Sequence, residues 1–495
     1  MTLTVAAAAR IADVYRRHLP AGRLIHFRVD ALDRLGIPVV TARLMLAGGG
    51  SLEGIGYGAT EEEALVGALG ELSEEAHADA ALAAMPRITS SYAALVAARG
   101  PGGVLDPATV CLPAGSDWRP DTSLAWIEGR RHPGGDPVLV PEWLACDAPQ
   151  QLRGPALVVP ITNGLGAGLC REQAIVHGLL ELIQRDGNVL SYRALDRGVA
   201  IDFDEVHDPA LRRIVEHDRE RGVDVLAKVA STDFGMLNVY VVGIDRQPLD
   251  ELTLRLTACG EAVHPDRERA LRKALLEYAG SRARKSFRHG PLERIAAVAP
   301  ADYLERVLPG IDPRQDEPRA LDAMLQWLGA GDAALRRLLT ERGILAVRET
   351  RRLSSLPTVQ PGTADDPQAR LDLVVARLAD ASLAPIVVDF SPAGGQVFVV
   401  KTIVPGLESE TLSYHRIGER GLRRLLDRGS PYVAIGADPR AGFARVTLTA
   451  PAEERLGGPA WLDVGGLDAL VGDLYALYRE PGGHSAPVAL ARCAA

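Results

Sequence analysis

Gly54-Ile55-Gly56-Tyr57-Gly58, followed by the Ala/Leu/Glu run Glu61 to Ala80, is matched further along the chain by Gly164-Leu165-Gly166-Ala167-Gly168, followed by Arg171 to about Ser191. An offset of 110 residues (164 − 54) superposes the glycines without a gap. It carries Ala64 onto Ala174, Val66 onto Val176, Glu71 onto Glu181 and Leu72 onto Leu182, and it carries Glu63 onto Gln173 and Glu74 onto Gln184. A third run, Asp266 to Arg284, matches the first helix at an offset of 206 (277 − 71). There Ala64, Leu65, Ala68, Leu69 and Glu71 fall on Ala270, Leu271, Ala274, Leu275 and Glu277, with the flanking glycines read as absent. Repeated units of strand, Gly-rich turn and helix predict an α+β fold.

In each helix an Ala is followed seven residues later by a Glu on the same face. Alanine lets a neighbouring backbone come close. A recurring glutamate puts carboxylates where burial is costly unless they are paired or bound to a metal. Oxygen donors of this kind suit Mg²⁺, whose shell is commonly completed by substrate phosphates. Gly-rich turns opening two of the helices would offer main-chain N–H groups to such phosphates. An Ala/Leu/Glu run is also the composition of an ordinary surface helix. No single glutamate separates the two readings; the joint pattern favours the site.

Composition narrows the choice. The 495 residues hold 64 Asp and Glu against 55 Lys and Arg, a net charge of −9, which argues against a nucleic-acid partner. The apolar fraction of 47% and charged fraction of 24% are those of a folded globular chain. Cys111, Cys146, Cys170, Cys259 and Cys493 form no CxxC pair, so neither a disulfide framework nor a zinc–thiolate site is expected. No run of eighteen apolar residues and no signal-peptide core is present, which predicts no membrane association and a cytoplasmic location. A dinucleotide-binding turn fails at Leu169, where the third glycine should stand, and no GxxxxGK[ST], GxSxG or HExxH occurs.

Elsewhere the pattern predicts a helix over Ala6–Leu19, strands at Pro38–Leu46, Ala156–Ile161 and Val397–Val404, and sheet over 223–243 and 251–258. Residues 99–154, dense in Pro and Gly, predict irregular chain, and 306–385 a helical insertion. The expected organisation is one domain over 1–450 with a C-terminal extension over 451–495.

At these residues the sequence resembles the YcaO family. Thr162-Asn163-Gly164-Leu165-Gly166-Ala167-Gly168 is similar to its Ser/Thr-Asn-Gly turn, and Glu181-Leu182-Ile183-Gln184-Arg185-Asp186 to its Glu-x-x-Glu-Arg-Asp helix. Glu71 and Glu74 match an earlier Glu-x-x-Glu; Lys273-Ala274-Leu275-Leu276-Glu277 with Ser281-Arg282 resembles Arg-Ala-Leu-x-Glu…Ser-Arg. Val388-Asp389 and Val404-Pro405-Gly406-Leu407-Glu408 resemble the closing strands. The resemblance covers about residues 25 to 430.

The resemblance implies a YcaO-type fold and an enzyme with ATP and Mg²⁺ as cofactors. Such an enzyme phosphorylates the carbonyl oxygen of a peptide backbone amide in the maturation of a ribosomally made peptide, giving an azoline, thioamide or amidine. It implies Mg²⁺ ligation by Glu71, Glu74, Glu181, Gln184 and Glu277, and ATP contacts from Asn163, Gly164, Arg185, Lys273 and Arg282, with Glu181, Arg185 and Lys273 in catalysis. Lys273 stands where the family has Arg, keeping the charge and losing the bidentate fork. Gln184 and Gln173 stand where the family has Glu, and Tyr57 between two glycines where it often has Lys. These changes motivate an alternative, a non-catalytic scaffold that binds nucleotide or peptide. The implied partners are a precursor peptide and a leader-peptide-binding or sulfur-delivery protein, with room for a homodimer. Azoline-forming members end in a Pro-rich tail; here the end is Ala486-Pro487-Val488-Ala489-Leu490-Ala491-Arg492-Cys493-Ala494-Ala495, which weighs against an azoline.

Three weaker signals remain. His177 shares the face of Gln173 and Glu181, as a base, a ligand or a histidine hydrogen-bonded in a polar core. Arg282, Arg284, Lys285 and Arg288 form a basic run that is either a solvated helix end or an anion site. Cys170 opens the second helix and is read as packing.

Overall fold

The computed structural model describes residues 4–146, 149–191, 195–203, 206–248, 253–360, 362–408, 414–437 and 441–494; the side chains of residues 149, 190, 191, 493 and 494, Cys493 included, lie outside the described set. The chain divides into two compact units, each assembled from separated segments. One holds 1–72, 191–358 and 472–495; the other holds 73–190 and 359–471.

The first unit carries an antiparallel three-stranded sheet ordered Gly22–Arg28, Val39–Leu46 and Ser51–Tyr57, the last termed β1 here. It also carries a five-stranded sheet. Its order is Gly260–His264, Leu237–Asp245, Val223–Ser231, Val199–Asp202 and Glu349–Arg352, antiparallel except for the last pair. The second unit has a six-stranded antiparallel sheet in which Ile88–Ser91, Ser123–Arg131, Ile386–Asp389, Phe398–Ile403 and Leu165–Gly168 follow one another, with Pro137–Pro141 paired to Ser123–Arg131. A small sheet of Val433–Ile435, Ala460–Asp463 and Phe443–Arg445 completes it.

Three helices answer to the repeat. They are α1, Glu61–Ala84, which contributes to both units; α2, Arg171–Ser191, in the second; and α3, Arg267–His289, in the first. Leu165–Gly168 is termed β2 and Gly260–His264 β3, so each helix follows its strand. Acidic residues Glu61, Glu62 and Glu63 occupy the first turn of α1, where the helix dipole favours them. The Asp266 side chain caps α3 by accepting from the Glu268 and Arg269 N–H groups.

The glycines do not form phosphate-cradling turns. Gly54 and Gly56 lie within β1, and Gly166 and Gly168 within β2, where their missing Cβ atoms let the strand touch the helix backbone; Gly58 follows β1, and Gly164 stands at positive φ in the turn before β2. A Cβ on Gly56 would stand 2.0 Å from the Ala64 carbonyl oxygen and 2.2 Å from the Ala68 nitrogen. A Cβ on Gly166 would stand 2.2 Å from the Ala174 oxygen and 3.0 Å from the Gly178 nitrogen, the same pairs displaced by 110 residues. The third copy has its glycine after all. Gly260 stands 206 residues beyond Gly54; Cβ atoms there would meet Ala274 O at 1.9 Å and Ala68 O at 2.2 Å, which are again equivalent residues. Small residues on the helix face, Ala64, Ala68, Ala174, Gly178, Ala270 and Ala274, make the approach two-sided.

Other expectations move. Within 99–154 the structure has Ser123–Arg131 and Pro137–Pro141, with Trp126 and Trp143 buried. The Pro and Gly residues sit between these strands and hid their apolar content. Residues 156–161 pair with no strand and instead wall two pockets of the second unit. Thr253–Thr257 is a 3₁₀ turn, and residues 251 and 252 lie outside the described set. No described helix is long and apolar enough to cross a membrane.

A methyl group at Gly166 has only main-chain atoms to displace, and overpacking of that kind costs about 1–3 kcal/mol or more. Gly166→Ala is expected at or beyond the top of that range in urea unfolding. Gly102→Ala, with nothing within 4 Å of the added carbon, is expected within about 0.5 kcal/mol of wild type. Equal costs for the two would contradict the packing argument.

Candidate active site

The repeat's glutamates are seated by hydrogen bonds from the strands and from the turn that opens β2. In the first unit, the exposed Glu71 on α1 accepts the Ile55 N–H of β1 at 2.9 Å. On α3, the half-buried Glu277 accepts the hydroxyl of Tyr57, the last residue of β1, at 2.8 Å. Burial, then Glu277 and Glu71, push the Tyr57 phenol well above the usual tyrosine value, so it remains an O–H donor. In the second unit, Glu181 on α2 accepts the Gly164 N–H at 2.9 Å, and Glu74 on α1 accepts the Ala167 N–H of β2 at 2.8 Å. Arg185, one turn beyond Glu181, places Nη2 3.4 Å from its other oxygen, Oε1.

The remaining positions are distributed unevenly. Gln184 is buried on α2. Gln173 caps the start of α2, accepting the Leu169 N–H at 3.3 Å, as Glu63 accepts the Ala59 N–H at 3.0 Å at the start of α1. Lys273 is exposed on α3, one turn before Glu277. Asn163 is buried at the wall of a pocket of about 50 Å³ lined by Trp143, Val158, Leu182, Lys401 and Thr402. Lys401 donates to the Ile161 carbonyl there at 2.6 Å. His177 is exposed on α2.

Two assigned ATP contacts require correction. Gly164 spends its N–H on Glu181, and its carbonyl accepts both the N–H and the hydroxyl of Thr402 at 2.8 and 3.0 Å. Its backbone holds the fold together and has no donor left for a phosphate. Arg282 is fully buried. Its Nε and Nη2 each bond Asp33 at 2.9 Å, Nη1 and Nη2 bond Asp245 at 2.8 and 3.1 Å, and Nη1 bonds the Tyr278 hydroxyl at 3.1 Å. These five bonds use the five N–H donors of a guanidinium. Sequence could not reveal this, because Asp33 lies 249 residues away.

The basic run is not a solvated helix end either. Arg288 pairs with Glu53 at 2.7 Å, and Arg284, Lys285 and His289 converge on Glu480 at 3.3 Å. Burial would raise Glu480; Arg284 and Lys285 overcome it and hold the carboxyl well below the usual range. In the second unit, the Asp186 that closes the Glu-x-x-Gln-Arg-Asp stretch is a tie. It accepts from Arg420, Arg424 and the Glu408 N–H. Glu408, from the Pro-Gly-Leu-Glu stretch, caps the Glu419–Asp427 helix through the Gly418 and Gly421 N–H groups.

The donor set fits Mg²⁺ on chemical grounds. The first unit supplies Glu71 and Glu277 and the second Glu74 and Glu181, hard carboxylate oxygens of which none is fully buried, and each carboxylate is oriented by a hydrogen bond. Among the described residues no three His, Cys, Asp or Glu side chains make a preformed metal cage. An ion that relies on one or two carboxylates, water and phosphate needs no such cage.

The sequence profile of the YcaO cyclodehydratases, an ATP- and Mg²⁺-binding family, matches residues 55–408. The chain belongs to the YcaO family. It is therefore an ATP-dependent enzyme of the peptide-modifying YcaO type, with ATP and Mg²⁺ as its cofactors. An uncharacterized protein of Methanothermobacter thermautotrophicus is 28% identical over 400 residues, which is 79% of this chain and 91% of that protein. An uncharacterized protein in the tfuA 3′ region of Rhizobium leguminosarum bv. trifolii is 26% identical over 413 residues, 80% of this chain and 86% of that one. YcaO from Methanopyrus kandleri bound with AMPPCP and Mg²⁺ shares the fold at a TM-score of 0.54 and 23% identity, over 83% of this chain and 91% of that chain. A heterocyclase in complex with substrate and cofactor does so at 0.60 and 18%, over 85% of this chain; this chain spans only 55% of that heterocyclase.

Beside the buried Arg282 cluster, Asp218 is fully buried, and neither carboxylate oxygen has a hydrogen-bond partner among the described residues. Burial pushes its pKa up to about 7, with Arg282 pulling it down and Asp33 pushing it further up. The unfolded carboxyl ionises near 3.8 while the folded one stays protonated, so Asp218 costs stability progressively as pH rises from about 4 to 7. Asp218→Asn is expected to match wild type near pH 4 and to exceed it increasingly up to about pH 7, by urea melts across that range. A constant difference across the range would contradict the assignment.

Proposed function

We propose that this enzyme uses ATP to phosphorylate the carbonyl oxygen of a backbone amide in a ribosomally made precursor peptide, so that a nucleophile replaces that oxygen to give an azoline, thioamide or amidine. What carries the reading is the common seating of four carboxylates. Glu71, Glu74, Glu181 and Glu277 each have an oxygen held by a donor from a strand or, for Glu181, from the turn that opens one, as metal-ligating carboxylates are. An amide oxygen is a poor leaving group, and Mg·ATP, when bound, supplies the phosphoryl group that makes it a good one.

The chain's own residues then have three tasks. Glu71, Glu74, Glu181 and Glu277 supply oxygens to Mg²⁺, and Gln184 adds a neutral carbonyl oxygen. Lys273, exposed one turn from Glu277, and Arg185, beside Glu181, supply positive charge to the phosphates. Asn163 lies next to Gly164, whose N–H seats Glu181, and orients the nucleotide from there. A precursor peptide and a leader-binding or sulfur-delivery protein would complete the working enzyme.

A second reading is a scaffold that binds nucleotide without turnover. Gln173 favours it, because its side chain caps α2 where the family pattern has a glutamate. Phosphate release with cognate peptide and partner separates the two. Glu181→Gln is expected to lower the rate by about 10²–10³, and Gln184→Glu to leave it intact or raise it. If wild type and Glu181→Gln release phosphate at the same background rate while both bind ATP, the scaffold reading holds.

A further inference from the structure

Three of the four seated glutamates are held by main-chain N–H groups; Glu277 is held by a side chain, the Tyr57 hydroxyl. The placement follows the repeat. Tyr57 and Ala167 are equivalent at the offset of 110. Ala167, in β2, holds Glu74, which belongs to the helix of the first copy; Tyr57, in β1, holds Glu277, which belongs to the helix of the third. The same strand position thus holds a carboxylate from another copy's helix, by main chain in one case and by side chain in the other.

The tyrosine is built in. Its ring lies against Gly280, one turn beyond Glu277 on α3. A Cβ on Gly280 would stand 2.9 Å from both Cβ and Cδ1 of Tyr57, so any larger residue there would push the ring aside. Its backbone is fixed by Gly56, whose Cα rests on the α1 backbone. The family pattern often has a lysine at this point. A lysine ammonium would compete with a cation for the carboxylate charge, whereas a neutral phenol orients the carboxylate without neutralising it.

We infer that Tyr57 is a positioning residue for Mg²⁺, fixing one oxygen of Glu277 so that the other is aimed at the ion, with Gly280 conserving the space its ring requires. This rests on the proposed role of Glu277 as a Mg²⁺ ligand. Outer-shell hydrogen bonds of this type are worth about 10–100-fold in metal affinity.

The test is the Mg²⁺ dependence of binding of a non-hydrolysable ATP analogue to the full chain, by calorimetry at fixed analogue and increasing MgCl₂. Tyr57→Phe keeps the ring and deletes the hydroxyl. It is expected to raise the Mg²⁺ midpoint by about 10–100-fold while leaving the melting temperature of the nucleotide-free protein close to wild type. Gly280→Ala, which displaces the ring, is expected to raise the midpoint in the same direction and to add little in the Tyr57→Phe background; it carries the test if Tyr57→Phe does not fold. Unchanged midpoints in both variants, with wild type showing Mg²⁺-dependent binding, would overturn the role of Tyr57 alone. A wild type that binds the analogue without regard to Mg²⁺, or not at all, would overturn the metal role of Glu277 and the inference with it.

Discussion

Everything in this structure that bears on chemistry depends on one contact, the strand Cα packed directly on a helix backbone. A glycine in the strand and an alanine or glycine in the helix remove the side chains that would keep the two apart. The contact sets how far the helix stands from the strand. At that distance the Ile55 N–H reaches Glu71 on α1 and the Gly164 N–H reaches Glu181 on α2, each one or two turns along the helix from the contact. Gly56 against Ala64 and Gly166 against Ala174 repeat the arrangement at one register, and Gly54 against Ala68 and Gly260 against Ala274 at another. A single added methyl group would lengthen the separation and unseat the carboxylate.

The charged groups of the first unit then divide by environment. Those on the α3 surface that includes Lys273 and Glu277 stay accessible. Those on its other sides are spent on structure. Arg282 is saturated by Asp33, Asp245 and Tyr278, Arg288 is paired with Glu53, and Arg284, Lys285 and His289 share Glu480. Removing one member of a buried pair strands its partner, so these networks fix the orientation of α3. Glu277 is thereby carried on a helix locked along its length.

Much of this was legible in the sequence because it is local or periodic. The offset of 110 exposed two copies, and the recurring Ala-to-Glu spacing named the helix faces. What was not legible depends on residues far apart in the chain. Gly260 has no flanking glycines to mark it, and only its contact with α3 reveals it as the third copy's partner to Gly54. The Ser281-Arg282 pair reads as an anion site until Asp33 and Asp245 fold against it. The strands Ser123–Arg131 and Pro137–Pro141 are hidden among Pro and Gly residues that belong to the turns. Residues 156–161 have strand composition, yet they wall pockets and pair with nothing. Tyr57 is visible in the sequence only as a departure from a family lysine; the fold is what places its hydroxyl on Glu277.

Glutamates seated by glycine-packed strands are expected to hold the nucleotide's metal. The most direct measurement is a crystal structure with a non-hydrolysable ATP analogue and Mn²⁺ in place of Mg²⁺, the ions located by their anomalous scattering. Manganese peaks are expected whose ligand oxygens come from Glu71, Glu74, Glu181 and Glu277 and from the analogue's phosphates. Manganese ligated by other residues, with these four carboxylates bonded only to their strand donors, would contradict it.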